Sequence, residues 1–216
     1  MVFSEIPLEE KQAALDKLRS FKSEFAVKGW FPGNSGNLSL RVGGFSPDRF
    51  YFAVSAAGKD KQGTSSEEFL FVDPAGNPCE TTRLKPCKET PVHAKIYRMT
   101  GCGAIYHVHT VYNNLLSEYF GDQGYVSAEG NDLIKELGIW EINAEVQVPI
   151  LPNYADILSV AKLIPGTFKP EIPGILLRNH GIFVWGKDAL EAKRRLEAFE
   201  FIFEVIYRGL LLPPRR

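Results

Sequence analysis

The sequence of 216 residues predicts an α/β fold: a three-layer α/β/α sandwich around a largely antiparallel central sheet. Three observations lead there. Helical apolar stripes open and close the chain, many short apolar segments of strand type lie between them, and adjacent strands are often joined by loops. Helices interleaved with such strands must cover a sheet to bury their apolar faces.

The opening helix rests on Leu8, Leu15, Leu18, Phe21 and Phe25, which recur at helical spacing. Pro7, Glu9 and Glu10 suit its N-terminus and Gly29 its end. A strand follows at Asn37 to Val42, where Leu38 and Leu40 alternate with Ser39 and Arg41. Phe50 to Val54 and Phe69 to Val72 read as further strands. Thr90 to Thr100 reads as a helix with Val92, Ile96 and Met99 on one face. The apolar run Ala104 to Thr110 reads as a buried strand. Helical patterns around Tyr112–Glu118, Asp132–Leu137 and Ala155–Leu163 flank a strand at Val146–Leu151. Ile175–Leu177 and Ile182–Trp185 form two strands around a turn at His180. The closing helix carries Ala189, Ala192, Leu196, Phe199, Phe203, Ile206 and Leu210 at steps of three and four, widened by Phe201, Ile202 and Val205. That wide stripe fits an intramolecular core and a subunit contact equally well.

Composition narrows the function classes. Charged residues make up 24% and the net charge is −1, which excludes the clustered basic footprint of a nucleic-acid binder. No apolar stretch approaches the roughly 20 residues that span a bilayer. Met1-Val2-Phe3-Ser4-Glu5 does not resemble a secretory signal. Cys79, Cys87 and Cys102 are odd in number and irregularly spaced, so they form no zinc-type pair, and a reducing cytoplasm is the simplest compartment. Cys79 and Cys102 read as small buried or indifferent residues, while Cys87 lies near a candidate site.

The most informative motif is His107-Val108-His109. Side chains two apart on a strand share a face, so both imidazoles should converge. His180 lies between two more apolar runs. A core histidine is usually a satisfied polar group, but two protonated neighbours would repel, which disfavours an accidental pair. Three histidines with an open fourth position suit a catalytic divalent metal such as zinc.

Two small-residue loops form a second constellation: Pro32-Gly33-Asn34-Ser35-Gly36-Asn37 and Ser55-Ala56-Ala57-Gly58-Lys59-Asp60-Lys61. Backbone N–H groups in such turns can bind anions, with Asn34 and Asn37 adding donors and Lys59, Lys85 and Lys88 adding charge. Neither loop matches a nucleotide-binding fingerprint, and each by itself reads first as an ordinary turn. Glu89 precedes a helix start, where a carboxylate favours the helix dipole or, beside a metal-bound substrate, moves protons. Glu129 and Asp132 read by themselves as helix caps.

Taken together these pieces resemble the class II aldolase/adducin family over nearly the whole chain, 1–216, as one domain. The resemblance rests on Asn34-Ser35-Gly36-Asn37-Leu38-Ser39, on Glu89 eight residues before Tyr97, on His107-Val108-His109 and on Asn179-His180-Gly181. Longer strings narrow it to a dehydratase branch acting on a methylthio-substituted ketose phosphate: Ala57 to Lys61, His107 to Val111 with Asn113-Asn114, Glu129 to Lys135, and Leu196 to Phe201. The resemblance implies one zinc ion per subunit on His107, His109 and His180. It implies a phosphate held by Asn34, Ser35, Gly36, Asn37, Gly58 and Lys88, with Glu89 and Asp132 as the catalytic carboxylates. It further implies a cytoplasmic homotetramer with active sites between subunits and a small phosphorylated ketose as substrate, with no nucleic-acid or membrane partner. This chain has Asp132 where relatives often carry Glu, and Cys87-Lys88 where they often carry small residues. The alternatives are a sugar-phosphate aldolase or epimerase and a non-catalytic interaction module as in the adducin branch. Retention of all three histidines and Glu89 argues against the last.

Overall fold

The computed structural model describes residues 2–63, 65, 67–141 and 143–213. Helix α1 (Leu8–Val27) leads into a two-stranded turn of sheet, β1 (Asn37–Ser46) and β2 (Arg49–Ser55), followed by β3 (Phe69–Val72). Helix α2 (Thr90–Thr100), β4 (Ala104–Val108), α3 (Val111–Tyr119) and β5 (Tyr125–Glu129) come next. The chain finishes with β6 (Glu145–Leu151), α4 (Ile157–Thr167), β7 (Gly174–Leu177), β8 (Gly181–Gly186) and α5 (Ala189–Leu210).

The strands form one sheet in the order β3-β2-β1-β4-β8-β7-β6-β5. Every pairing is antiparallel except β6 with β7. Apolar residues of α1, α3 and α5 join one core, and those of α2 and α4 join another on the opposite face. The sheet is therefore covered on both sides, giving the expected three layers. Along β4 the faces alternate: Ala104, Tyr106 and Val108 enter the first core and Ile105 the second. His107, two residues from Ile105, thus faces the α2/α4 layer.

Several boundaries differ from the sequence reading. Leu8 heads α1 but is exposed; the buried stripe begins at Ala14 and continues through Leu18, Phe21, Lys22 and Phe25. Lys22 is tolerated inside because its ammonium lies 2.7 Å from the buried Glu68 carboxylate. The segment Asp132–Leu137 is a 3-10 helix rather than an α-helix, closed after six residues by Gly138 in the left-handed region. Helix α4 starts at Ile157 because the Asp156 carboxylate accepts from the N–H groups of Leu158 and Ser159. Strand β5 was not anticipated. It is an edge strand that pairs with β6, and Ser127 and Glu129 dilute its apolar pattern. No helix among the described residues is long and apolar enough to cross a membrane.

Candidate active site

The three histidines meet at one end of the central strands. β4 ends at Val108, so His109 lies just past the strand. Its N–H donates to the Trp30 carbonyl instead of continuing the ladder. Thr110 explains that exit: it caps α3 by accepting from the Asn113 N–H, and Asn113 in turn donates to the Val108 carbonyl. His180 sits on the turn between β7 and β8, where Asn114 donates to its carbonyl at 2.8 Å and the Ser117 hydroxyl accepts from Asn179 N–H. Asn179 holds this turn with a positive φ of 49°. The spacing rule thus located the pair correctly, although only one member is on the strand.

Candidate ligand atoms of the three residues lie within 4.8 Å of one another and could hold a metal ion. Second partners fix two of the rings. His107 Nδ1 donates to the Ile182 carbonyl at 3.0 Å, leaving Nε2 with a lone pair. The Nδ1 of His180 is 3.1 Å from Asn153 Oδ1. His109 Nε2 stands 3.0 Å from His107 Nε2, a pair with room for one proton or a shared cation between them but not two protons. The His107 ring also stacks on Phe183, with centroids 3.9 Å apart. Burial, reinforced by the neighbouring histidines, holds His107 well below the usual histidine range. Burial takes His109 down to about 3 and lowers His180, where the charge of Glu89 acts in the opposite sense. Three neutral imidazoles make the donor set that a divalent ion requires.

Glu89 occupies the position before α2 but makes no capping hydrogen bond with its side chain. Its carboxylate instead accepts from Asn37 Nδ2 at 3.2 Å. Asn37 is opposite His107 across the β1/β4 pair, which brings Glu89 toward the histidine cluster. The side-chain oxygen of Asn37 meets His93 Nε2 at 2.5 Å. Asn37 was expected to serve the anion cradle; its side chain is committed mainly to His93 and Glu89. His93, Ser39 and Tyr97 were not anticipated as site residues. Ser39 Oγ lies 2.7 Å from His93 Nδ1 and 2.8 Å from the Tyr97 hydroxyl, and all three residues are fully buried.

The two small-residue loops are stitched together. Asn34 Oδ1 accepts from Lys61 N–H at 2.8 Å, and the Lys61 ammonium donates to the Asn34 carbonyl at 2.9 Å. The Ala57 N–H donates to the Lys85 carbonyl and the Cys87 N–H to the Ser55 carbonyl, which draws in the segment ahead of Glu89. Gly36 is required here: its φ is 74°, and a Cβ would stand 2.7 Å from the His107 carbonyl oxygen. The Ser35 hydroxyl is buried without a hydrogen-bond partner among the described residues, an orphan that fits a ligand contact. Lys61 is half-buried, with its ammonium pKa lowered by burial, and its charge acts on His109. The sequence places it only as the last residue of the second small-residue loop, and the loop contacts reveal its role. Gly58 has φ 69° and stays exposed, as does Lys88. Cys87 is buried, its thiol pushed up to about 12 by desolvation, so it is not a reactive thiol.

Asp132 is not brought to the cluster within one chain. It follows β5, and three strands separate β5 from β4, about 19 Å at normal strand spacing. Its exposed carboxylate pairs with Lys135, and Asn131, not Asp132, caps the 3-10 helix. Glu129 ends the same edge strand and is exposed.

A family model described as "Class II Aldolase and Adducin N-terminal domain" matches residues 16–207. The chain is 44% identical over 206 residues to a methylthioribulose-1-phosphate dehydratase of Persephonella marina, covering 93% of this chain and 94% of that protein. It is 47% identical over 196 residues to the enzyme of the same name from a Geobacillus species, covering 91% of each. Among solved structures, an L-fuculose-1-phosphate aldolase from Thermus thermophilus superposes with a TM-score of 0.69 at 23% identity, over 92% of this chain and 95% of that one, which shows a shared fold.

Proposed function

The chain belongs to the class II aldolase and adducin family, and from that premise we propose that it is a hydro-lyase that dehydrates 5-methylthioribulose 1-phosphate to 2,3-diketo-5-methylthiopentyl 1-phosphate, a step of methionine salvage. The observation that carries the reading is the convergence of three imidazoles, with the carboxylate of Glu89 held near them through Asn37, in a chain with this identity to dehydratases. The whole chain acts as one domain, a reading supported by the single sheet.

His107, His109 and His180 hold one zinc ion per subunit; neutral nitrogen ligands with an open position suit zinc. When bound, the ion supplies a Lewis acid for the ketone oxygen of the substrate. Glu89 takes the proton from the carbon between the ketone and the carbon that bears the departing hydroxyl. The released electron pair forms the double bond, the hydroxyl leaves as water after accepting a proton, and the enol tautomerises to the diketone. Ser35, Gly36 and Gly58, with the remaining amide hydrogens of Asn34 and Asn37, anchor the phosphate, and Lys88 adds positive charge at the rim. This fixes the reacting carbons beside Glu89.

A tetramer completes the site. Val111, Leu115 and Tyr119 form an exposed apolar stripe on α3, next to exposed Phe201 and Val205 on α5; Tyr112 and Tyr207 pack the two helices together with ring centroids 5.7 Å apart. Such a face supports assembly, and assembly would let Asp132 of the partner subunit serve as the second acid/base. The free thiols of Cys79, Cys87 and Cys102 support a reducing cytoplasm.

The test is mass spectrometry of the product after incubation of the zinc-loaded protein with 5-methylthioribulose 1-phosphate. Loss of one water with the carbon skeleton retained supports the dehydratase. Cleavage into two carbonyl fragments would make the protein an aldolase, and an isomer of unchanged mass an epimerase.

A further inference from the structure

The fourth histidine is the one the proposed reaction does not use. His93 is fully buried on α2, and Phe183 meets its ring edge-on with centroids 5.5 Å apart. It lies in the middle of a buried chain of polar groups that runs from Tyr97 through Ser39, His93 and Asn37 to Glu89.

The direction of every hydrogen bond in this chain follows from its last member. An ionised carboxylate only accepts, so the Asn37 amide must present its NH2 to Glu89. The Asn37 oxygen then faces His93 and needs a donor, so His93 carries its proton on Nε2. His93 Nδ1 is therefore bare and accepts from the Ser39 hydroxyl. With its own proton spent, Ser39 Oγ accepts from the Tyr97 hydroxyl. Reversing any link from Tyr97 to Asn37 leaves two donors or two acceptors face to face in a space without solvent. Burial keeps His93 neutral, its pKa near 3, which the pattern requires because an imidazolium would offer a second donor.

We propose that His93 is a positioning residue: through its Nε2–H it fixes the orientation of the Asn37 carboxamide, and through Asn37 it aims the carboxylate of Glu89 at the substrate carbon. Ser39 and Tyr97 form the anchored end of the same device, tying β1 to α2. The proposal rests on the reading of Glu89 as the base. It explains why a polar side chain at each of these buried positions faces the α2/α4 core. It also explains why the Asn37 oxygen and one of its amide hydrogens are held away from the anion cradle, leaving only the second hydrogen for the phosphate.

Two experiments on the zinc-loaded protein test it. The first is the 15N shift pattern of the four imidazoles in the resting enzyme, which needs no turnover. His93, identified by its loss in His93→Gln, should appear as the neutral Nε2–H tautomer across pH 6 to 8; an Nδ1–H tautomer or an imidazolium would overturn the proposal. The second compares His93→Gln with His93→Leu. Gln retains a donor toward Asn37, and Leu removes it. His93→Leu should retain zinc and lose about 10- to 100-fold in kcat with KM little changed, the scale of a misplaced reacting group, and His93→Gln should recover much of that loss. Equal losses in both variants, or a loss confined to KM, would contradict a positioning role. Should His93→Leu fail to fold, Ser39→Ala and Tyr97→Phe carry the same kcat-against-KM test from the far end of the chain. If wild type leaves 5-methylthioribulose 1-phosphate unchanged, the assigned reaction fails, while the tautomer still decides the orientation of Asn37.

Discussion

Gly181 sets the room available to the three clustered imidazoles. A Cβ there would lie 2.5 Å from the Val108 carbonyl oxygen, 2.8 Å from His109 Cδ2 and 2.9 Å from His107 Cε1. The Val108 carbonyl and the His107 ring, tied to the Ile182 carbonyl, cannot both give way, so Gly181→Ala should displace the imidazoles. The expected outcome is loss of stoichiometric zinc and of turnover together, read by metal analysis of the purified variant; full zinc occupancy would show that the rings have slack the geometry does not reveal. The clustering of the three histidines was legible from sequence because its signal is local: alternate residues in an apolar run, and a histidine at a turn between two other apolar runs. Ser39 and His93 gave no such signal. They are 54 positions apart in sequence, and alternation along β1 reads Ser39 as a solvent-facing residue. The sheet is covered on both faces, so its polar positions are buried too.

Between β4 and α3 the site depends on an element at the far end of the chain. Glu200 on α5 is buried and accepts from the Thr110 hydroxyl at 2.5 Å and from Asn113 Nδ2 at 2.8 Å, so the last helix holds the segment that follows His109. Desolvation outweighs these two hydrogen bonds and pushes its pKa up from 4.5 to about 7. A carboxyl group whose pKa is raised on folding binds more protons in the native state than in the unfolded state. Stability is therefore full below pH 4.5 and falls as pH rises toward 7, by a cost on the order of 3 kcal/mol once the group ionises. Glu200→Gln keeps the shape, and Thr110 can turn its hydroxyl to accept from the new amide. Chemical denaturation between pH 5 and 8 should show the variant gaining stability over wild type as pH rises; parallel curves would contradict the account. The closing helix itself was legible from its stripe, but the sequence pattern groups Glu200 with Lys193, Arg194, Arg195 and Glu197 on a polar face that reads as solvated. Its burial comes from α3 packing on that side, a contact that helical periodicity cannot report. For the same reason edge strand β5 escaped notice, since one half-buried strand with a single neighbour carries a weak apolar pattern.

At the scale of the molecule, the single chain leaves the site half open: His107 is buried, His109 and His180 are only partly so, and Asp132 stands at the far edge of the sheet. The three-layer architecture was legible because amphipathic helices and apolar strands leave few ways to bury both. The placement of Asp132 was not, because motif spacing says nothing about which strands are neighbours. The exposed stripe of α3 and α5 offers the surface for assembly. Leu115→Glu combined with Phe201→Glu should shift the mass in light scattering to that of a smaller species and reduce turnover, with the folded far-ultraviolet signal retained. An unchanged oligomer would move the interface elsewhere. The central claim, that Glu89 beside a three-histidine metal site drives loss of water from a ketose phosphate, is tested most directly by the product assay run on wild type and Glu89→Gln side by side. The account expects wild type to yield the product one water lighter. It expects the variant to keep its zinc and slow by about 100- to 10,000-fold, the range for loss of a general base. Two fragments from wild type, or dehydration by the variant at the wild-type rate, would contradict it.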